Sequence, residues 1–308
     1  MVKYIIKRLL LAIPVLLGVS FIVYTILSLT PGDPVQVYLG DNYTQEAHDE
    51  ISEQLGLNDP FIVRYAKYVI NAVQGDLGTS YTTKRPVLSE IAARFPSTAK
   101  LGCAAMLFAV ALGIPLGVIS ATQQYSIFDS ISMFIALIGV SMPNFWMGIM
   151  LILLFAAHLG WVPASGDQGI ASLILPAITL GANSLATITR MTRSSMLETI
   201  RLDYIRTARA KGLKEGSVVI HHALRNAMIP IITTIGLQFG FSLSGAVLVE
   251  TVFSWPGIGR LLIDAIKLKD APLVLGVVTS IAALFTVINL VIDILYACFD
   301  PRVKTMYK

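Results

Sequence analysis

Six apolar stretches, each long enough to cross a lipid bilayer, constrain this chain more than any other feature of its sequence. A bilayer core of about 30 Å requires a helix of about 20 predominantly apolar residues. The stretches cover residues 1–30, 99–120, 131–157, 170–189, 228–249 and 273–298. With 14% charged residues and a mean hydropathy of +0.72 over 308 residues, the chain is predicted to be an all-α polytopic membrane protein with six transmembrane helices.

The charges beside these stretches predict the orientation. Lys3, Lys7 and Arg8 precede the first apolar run, which favours a cytoplasmic amino terminus. A signal peptide is the alternative, but its apolar region would be shorter than this run of about 21 residues and would end in a small-residue cleavage site. Six spans then place both termini in the cytoplasm, which agrees with a basic tail formed by Arg302, Lys304 and Lys308.

Residues 31–97, here called the insert, differ in composition from the spans around them. They hold nine Asp or Glu residues against five Lys or Arg, with frequent Asn, Gly and Pro. Thr44–Leu55 and Phe61–Val73 are predicted to form two short helices, the second amphipathic. The acidic bias predicts a small extracytoplasmic domain.

The third apolar stretch is interrupted by Met142-Pro143-Asn144. Because proline lacks a backbone N–H, we expect a kink at this point.

Polar residues inside the other spans are candidates for lining a translocation pathway. Each could equally hydrogen-bond a neighbouring helix. Asp293 is the ionisable residue nearest to membrane depth, near the inner end of the sixth span. The pathway candidates are Asn183, Gln238, Ser242 and Asn289.

The stretch Arg190–Pro230 is a basic region between two apolar spans, with eight Lys or Arg against three acids. The plain interpretation is a topology determinant that also contacts anionic lipid. Its pattern predicts more: a helix over Tyr204–Lys211, a turn at Gly212 and a second helix over Val218–Met228. Ile205, Ala208 and Gly212 would form a face of small and apolar residues suited to docking in a cleft.

Several kinds of site are missing from the sequence. It contains no G-x-x-x-x-G-K-[ST] phosphate loop, no H-E-x-x-H and no Cys/His cluster. No nucleophile–base constellation, aromatic platform or nucleic-acid motif stands out. We therefore expect no catalytic residues, no metal, no cofactor and no nucleic-acid partner.

The run YIRTARAKG at 204–212 resembles the EAA loop of inner-membrane permease subunits of ATP-binding cassette (ABC) importers. In that loop Glu-Ala-Ala is followed three residues later by Gly, and further on by Ile-x-Leu-Pro. Gly212 fits the Gly, which places Arg206, Thr207 and Ala208 on Glu-Ala-Ala, and of these Ala208 is identical. Ala227–Pro230 lies a few residues later than the pattern expects.

Further motifs resemble the dipeptide/oligopeptide/nickel branch of these permeases and extend over essentially the whole chain. They are PGDP at 31–34, GLNDP at 56–60, GDLGTS at 75–80, SMPNFW at 141–146, ILPAITLG at 174–181, RMTRSSML at 190–197, HALRNAMIP at 222–230 and ETVFSWPGIGRLL at 250–262.

The resemblance implies the type I ABC-importer permease (MetI-like) fold, located in a bacterial inner membrane. Residues 1–30 would be the first transmembrane helix, 31–97 the extracytoplasmic insert and 98–308 the permease core, with a coupling loop at 190–230. The implied partners are a second permease subunit, usually a paralogue, two ABC ATPase subunits that bind ATP and Mg²⁺, and an extracytoplasmic substrate-binding protein. The coupling positions implied are Tyr204, Arg206, Ala208, Gly212 and Leu213.

The sequence leaves open both the transported cargo and the class of transporter. Dipeptides or short oligopeptides lead, and glutathione and nickel use similar permeases. A stand-alone secondary transporter would need coupling carboxylates or broken helices at the membrane midplane, and the spans lack such acids.

Overall fold

The computed structural model of the chain describes residues 2–40 and 43–299, and the side chains of these residues except 2–5, 7, 243–245, 293 and 295–299. The basic tail and the side chain of Asp293 therefore lie outside what is described.

The described chain is built from helices. The helices are α1 (Val2–Leu29), α2 (Pro34–Leu39), α3 (Gln45–Gln54), α4 (Phe61–Val73), α5 (Val87–Thr122), α6 (Ile127–Ser141), α7 (Asn144–Leu151), α8 (Ile170–Ile200), α9 (Asp203–Ala210), α10 (Glu215–Ser217), α11 (Arg225–Val252), α12 (Ile258–Lys267) and α13 (Ala271–Phe299). Two π-helical segments, Ile152–His158 and Val218–Leu224, continue α7 and join α10 to α11. Pairing of the strand type is limited, in the described chain, to an isolated bridge between Thr79 and Pro86.

The helices confirm the predicted class. Five of them are long and apolar enough to cross a membrane, and the bent pair α6–α7 makes a sixth if it counts as one span. The bend between α6 and α7 is 108°. Met142 is extended there (φ −90°, ψ 128°), in the backbone region that is favoured for a residue preceding proline. The expected kink at Pro143 is thus confirmed.

The two insert helices also match their predictions. Thr44 caps α3 by accepting a hydrogen bond from the Ala47 N–H at 3.3 Å. The helix predicted over Phe61–Val73 has those bounds in α4.

Several helices extend beyond the predicted spans. The fourth span continues as helix to Ile200 rather than ending at Thr189, and the helix of the second span begins at Val87 rather than Ala99. Charged residues form helix as readily as apolar ones once the helix leaves the lipid, so charge marks the membrane boundary and not the helix end. The predicted second loop helix, Val218–Met228, is likewise no separate element, because α10, the π-helical segment and α11 run on without a break.

The chain divides into two compact units, residues 1–98 with 256–287 (unit 1) and residues 99–255 with 288–308 (unit 2). In unit 1, α4 packs on α1 through aromatic rings. The ring of Tyr65 meets that of Phe21 edge-on at 5.1 Å, and its hydroxyl donates to the Leu17 carbonyl at 2.9 Å. This contact holds the insert on the first transmembrane helix.

A buried carboxylate organises the end of the insert in unit 1. Asp270 is 0% exposed and accepts hydrogen bonds from the Ser80 hydroxyl, the Tyr81 N–H and the Thr82 N–H. It also accepts from the Leu273 N–H at 3.3 Å, so it caps the first turn of α13. One side chain therefore fixes the turn after GDLGTS to the last transmembrane helix.

In unit 2 the other helices pack around α8. A Cβ added at Gly181 would lie 2.5 Å from the Ala105 carbonyl oxygen, and one added at Gly117 would lie 2.7 Å from that of Thr189. Gly139 of α6 meets the Ala182 carbonyl in the same way, at 2.6 Å. Glycine at these positions lets backbones approach as they do in small-residue contacts between transmembrane helices. α8 is consequently held at close range by α5 and α6.

Candidate functional site

The predicted helix–turn–helix of the basic region is present with shifted bounds. Asp203 is the candidate cap of the predicted helix over Tyr204–Lys211, but it is instead the first residue of α9, and Leu202 occupies the capping position without a side-chain cap. Gly212 follows the helix with φ +77°, a backbone conformation that side chains rarely adopt. The predicted glycine turn is therefore confirmed. Ser217 directly precedes the predicted helix over Val218–Met228 and is the candidate cap for it, but it is the last residue of α10 and does not cap a helix.

The inner face of α9 rests on the chain itself. Ile205 is 0% exposed and Ala208 is 7% exposed. They join one apolar cluster with buried residues that come before and after the loop, namely Ala121, Met196, Val218, Ala223, Ala227 and Ile231. The small side chain of Ala208 thus lets α9 approach its own neighbours and does not lie on the exposed side of the helix.

Polar contacts brace the two ends of α9. The Asn226 amide donates to the Tyr204 hydroxyl at 2.9 Å and to the His222 carbonyl at 2.9 Å. At the other end the guanidinium of Arg209 bonds to Glu215, with Nη2 to Oε1 at 2.6 Å and Nε to Oε2 at 3.1 Å. The hydrogen bonds that Arg209 donates to Glu215 raise the pKa of the guanidinium above its usual value. Both ends of the helix are fastened to α10 and α11.

The outer side of this region is open. Every residue from 201 to 216 is exposed except Ile205 and Ala208, and these exposed residues are here called the loop surface. The side chain of Arg206 is 77% exposed, Leu213 is 42% exposed and Tyr204 is 39% exposed. A Cβ added at Gly212 would find no atom within 4 Å. Of the five predicted coupling positions, Tyr204, Arg206, Gly212 and Leu213 lie on the loop surface and Ala208 lies beneath it.

An ion pair that the sequence did not predict lies at α8, before α9 begins. The Arg193 guanidinium donates side-on to Asp129, with Nε to Oδ1 and Nη2 to Oδ2 both at 3.0 Å. The Ser120 hydroxyl and the Tyr125 N–H donate to the same carboxylate. This clasp fastens the turn between α5 and α6 to α8, in the stretch that leads to α9.

The sequence signal for the clasp was weak. Asp129 is one acid in the short segment between the second and third apolar stretches, and Arg193 is one of the eight basic residues in the basic region Arg190–Pro230. Their 64-residue separation gives no local pattern.

The predicted pathway residues are distributed over three helices, with different exposure. Asn183 on α8 is exposed, and Gln238 on α11 and Asn289 on α13 are partly buried. Ser242 on α11 is buried, with its hydroxyl 3.4 Å from that of Ser184 on α8, so it links two helices. Exposed polar residues continue from Asn183 along the same side of α8 through Arg190, Ser194 and Glu198.

Two family models match the chain. The model described as "Binding-protein-dependent transport system inner membrane component" matches residues 113–305, and its N-terminal companion matches residues 1–102.

Relatives match over nearly the full length. The dipeptide transport system permease protein DppB of Alkalihalophilus pseudofirmus is 44% identical, with 99% of this chain and 100% of the relative aligned. The di/tripeptide transport system permease protein DppB of Pseudomonas aeruginosa is 46% identical over 99% of both chains. The glutathione transport system permease protein GsiC of Escherichia coli K12 is 43% identical over 99% of both.

A solved structure has the same fold. The methionine ABC transporter MetNI in an inward-facing conformation aligns with a TM-score of 0.59 at 17% sequence identity, covering 68% of this chain and 96% of the other.

Proposed function

This chain belongs to the family of binding-protein-dependent transport system inner membrane components, and we propose that it is the permease subunit of an ATP-driven ABC importer of dipeptides and short oligopeptides. The relatives named for dipeptides and di/tripeptides, matched over 99% of the chain, support the peptide cargo. The chain itself carries out no catalysis and holds no cofactor, since ATP and Mg²⁺ bind to the ATPase subunits.

The assembly proposed has two permeases, this chain and a paralogue, which together form the pathway. Two ABC ATPases act on the cytoplasmic side and a substrate-binding protein delivers cargo from outside. In this arrangement both termini and the loop surface face the cytoplasm, the insert faces outward, and the chain lies in the plasma membrane of a bacterium. Asn183, Gln238 and Asn289 are proposed to face the pathway.

The burial and hydrogen bonding of α9 support the proposed coupling role. The helix is buried on one side by Ile205 and Ala208, braced at its ends by Tyr204 and Arg209, and exposed on the other side. A helix supported in this way moves with the helices beneath it, so an ATPase that binds its exposed side can transmit its own motion to α8 and α11. Arg206, Gly212 and Leu213 are the contact residues proposed, and Ala208 positions the helix.

A bulky residue at Gly212 tests this role. In proteoliposomes that contain both permeases, the ATPases and the binding protein, Gly212→Trp should lower dipeptide uptake by about tenfold or more, because it places a ring where the ATPase approaches. ATP hydrolysis and uptake, measured together, should become uncoupled.

Gly160→Trp is the matched control. Gly160 also has a positive φ, +65°, and also has no atom within 4 Å of an added Cβ, but it lies in the loop before α8. It should carry the same backbone strain and keep normal uptake. Normal uptake in Gly212→Trp would rule out the coupling assignment.

Two further comparisons test the class and the cargo. Uptake that persists when the catalytic residue of the partner ATPase is removed would indicate a stand-alone transporter instead. Glutathione is the second candidate cargo, because glutathione permeases match the chain as extensively as dipeptide permeases. Competition between a dipeptide and glutathione for the binding protein encoded beside this chain separates the two.

A further inference from the structure

Unit 1 contains a cleft that the proposed coupling role does not use. Its volume is about 720 Å³, within the range of small-molecule sites. The insert forms most of its wall, together with the end of α1 and the start of α13. Its lining combines apolar side chains such as Leu27, Leu77 and Leu275 with several charged ones. On the proposed orientation the cleft opens on the extracytoplasmic side.

Arg64 is an unpaired cation in this cleft. Arg64 is one of the residues that line the cleft, and its Nε is buried without a hydrogen-bond acceptor among the described residues. None of the ion pairs found in the described chain includes it. Tyr81 in the same lining cannot act as a counter-ion, because burial, with Asp270 nearby, raises its pKa to about 12 and keeps the phenol neutral. A buried guanidinium N–H without an acceptor is costly, and such a group needs an explanation.

Glu53 is the corresponding unpaired anion. The other acids of the lining have partners: Asp59 pairs with Lys67 at 2.6 Å, and Asp76 accepts from the Gly78 N–H at 2.8 Å. Glu53 is exposed in the cleft and forms no ion pair within the described chain, with Arg64 or any other base. The cleft thus presents a cation, Arg64, and two anions, Glu53 and Asp76, that form no ion pair within the described chain, and of these anions Glu53 is the one without a hydrogen bond from the backbone.

We propose that this cleft binds a small zwitterion, with the anionic group of the ligand at Arg64 and its ammonium group at Glu53. The planar guanidinium suits a carboxylate or a phosphate, since both accept two parallel hydrogen bonds. A free dipeptide and the headgroup of an ethanolamine phospholipid share this chemistry. If the ligand is a dipeptide, the inference rests on the proposed function, and the cleft would be a second binding site outside the pathway. If the ligand is a lipid headgroup, the inference does not depend on the proposed function.

Dipeptide binding is measured first, on the full chain with its partner permease in phosphatidylglycerol nanodiscs without ATP or binding protein. Calorimetric titration with alanyl-alanine should show that Arg64→Gln and Glu53→Gln each weaken binding by about tenfold or more. Alanyl-alanine amide, which lacks the carboxylate, should bind weakly and be insensitive to Arg64→Gln. Lys67→Gln is the control, because Lys67 lines the same cleft but is already paired with Asp59; its affinity should stay within about twofold of wild type.

The lipid source is tested by adding phosphatidylethanolamine to the nanodiscs and counting retained lipid by native mass spectrometry. Retention that is lost in Arg64→Gln, without dipeptide binding, supports the zwitterion site and assigns it to lipid. Arg64→Lys keeps the charge but loses the two parallel N–H donors of the guanidinium. This variant should bind the zwitterion with intermediate affinity, which would show that the effect is local. If Arg64→Gln keeps its melting temperature and changes the binding of neither probe, the inference is overturned. ATP-driven uptake that stays normal would then leave the proposed function intact.

Discussion

α1 and α8 are both predicted to cross the membrane, yet the protein covers them to very different extents. Of the residues in their most apolar stretches, 61% are buried in α8 and 6% in α1. The more apolar of the two helices is the one that the protein leaves exposed. Leu10, Ile22 and Ile26 of α1 are each at least 59% exposed, as expected for residues whose solvent is lipid.

The difference follows from what holds a helix inside a bilayer. Lipid solvates apolar side chains as well as a protein core does, so helix packing depends on close backbone approach and on polar contacts. α8 accordingly contains glycine at its contacts and hydroxyl side chains on its buried faces. Thr179 and Thr189 donate to the carbonyls of Leu175 and Leu185, both at 2.8 Å, which satisfies them inside the unit. Of these two helices, the less apolar one is the more deeply buried.

The largest difference in stability between variants of α8 and α1 is expected from replacing a glycine in each helix. Gly181→Val in α8 forces a side chain against the Ala105 carbonyl and should destabilise the permease by about 3 kcal/mol. Gly18→Val in α1 is the matched change, since no atom lies within 4 Å of its Cβ, and it should leave the melting temperature nearly unchanged. Thermal melting of the purified permease in detergent measures both, and equal shifts would break the comparison.

Removal of one charge from the clasp should have the next largest effect. Asp129→Asn leaves Arg193 without its counter-ion beside α8, and a loss of about 2 kcal/mol is expected. The estimate is below that for a fully buried pair because the Arg193 side chain is 25% exposed. Asp203→Asn, which removes an ion pair with Arg206 on the open loop surface, serves as the control and should not change the melting temperature. An unchanged melting temperature in Asp129→Asn would mean that α8 is held by its glycine contacts and not by the clasp.

The smallest effect is expected where α1 does contact protein. Tyr65→Phe removes the hydroxyl that donates to Leu17 and lies 3.0 Å from the Ser20 hydroxyl, which should cost about 1 kcal/mol or less. Tyr125→Phe is the control, because Tyr125 is 89% exposed. The melting temperatures of the two variants show how much the contact between α1 and the insert contributes to stability.

Local patterns predicted the elements whose cause is local. The kink at Pro143, the short helix predicted over Thr44–Leu55, the bounds of α4 and the glycine turn at Gly212 each follow from residues a few positions apart. The spans themselves follow from composition, since lipid imposes their length.

What the sequence did not predict depends on distant contacts. The end of α8 was misplaced because Arg190 and Arg193 were assigned to a loop on their charge, although a helix accommodates both. The Asp129–Arg193 pair and the buried position of Ala208 both require knowing which helices lie beside each other. No spacing in the sequence shows that.

The seating of α9 also determines the thermodynamics of binding there. Ile205 and Ala208 lie on residues from both sides of the loop, and Tyr204 and Arg209 hold the ends, all within one chain. A partner that binds the loop surface therefore meets a preorganised helix and loses little conformational entropy of the loop on association.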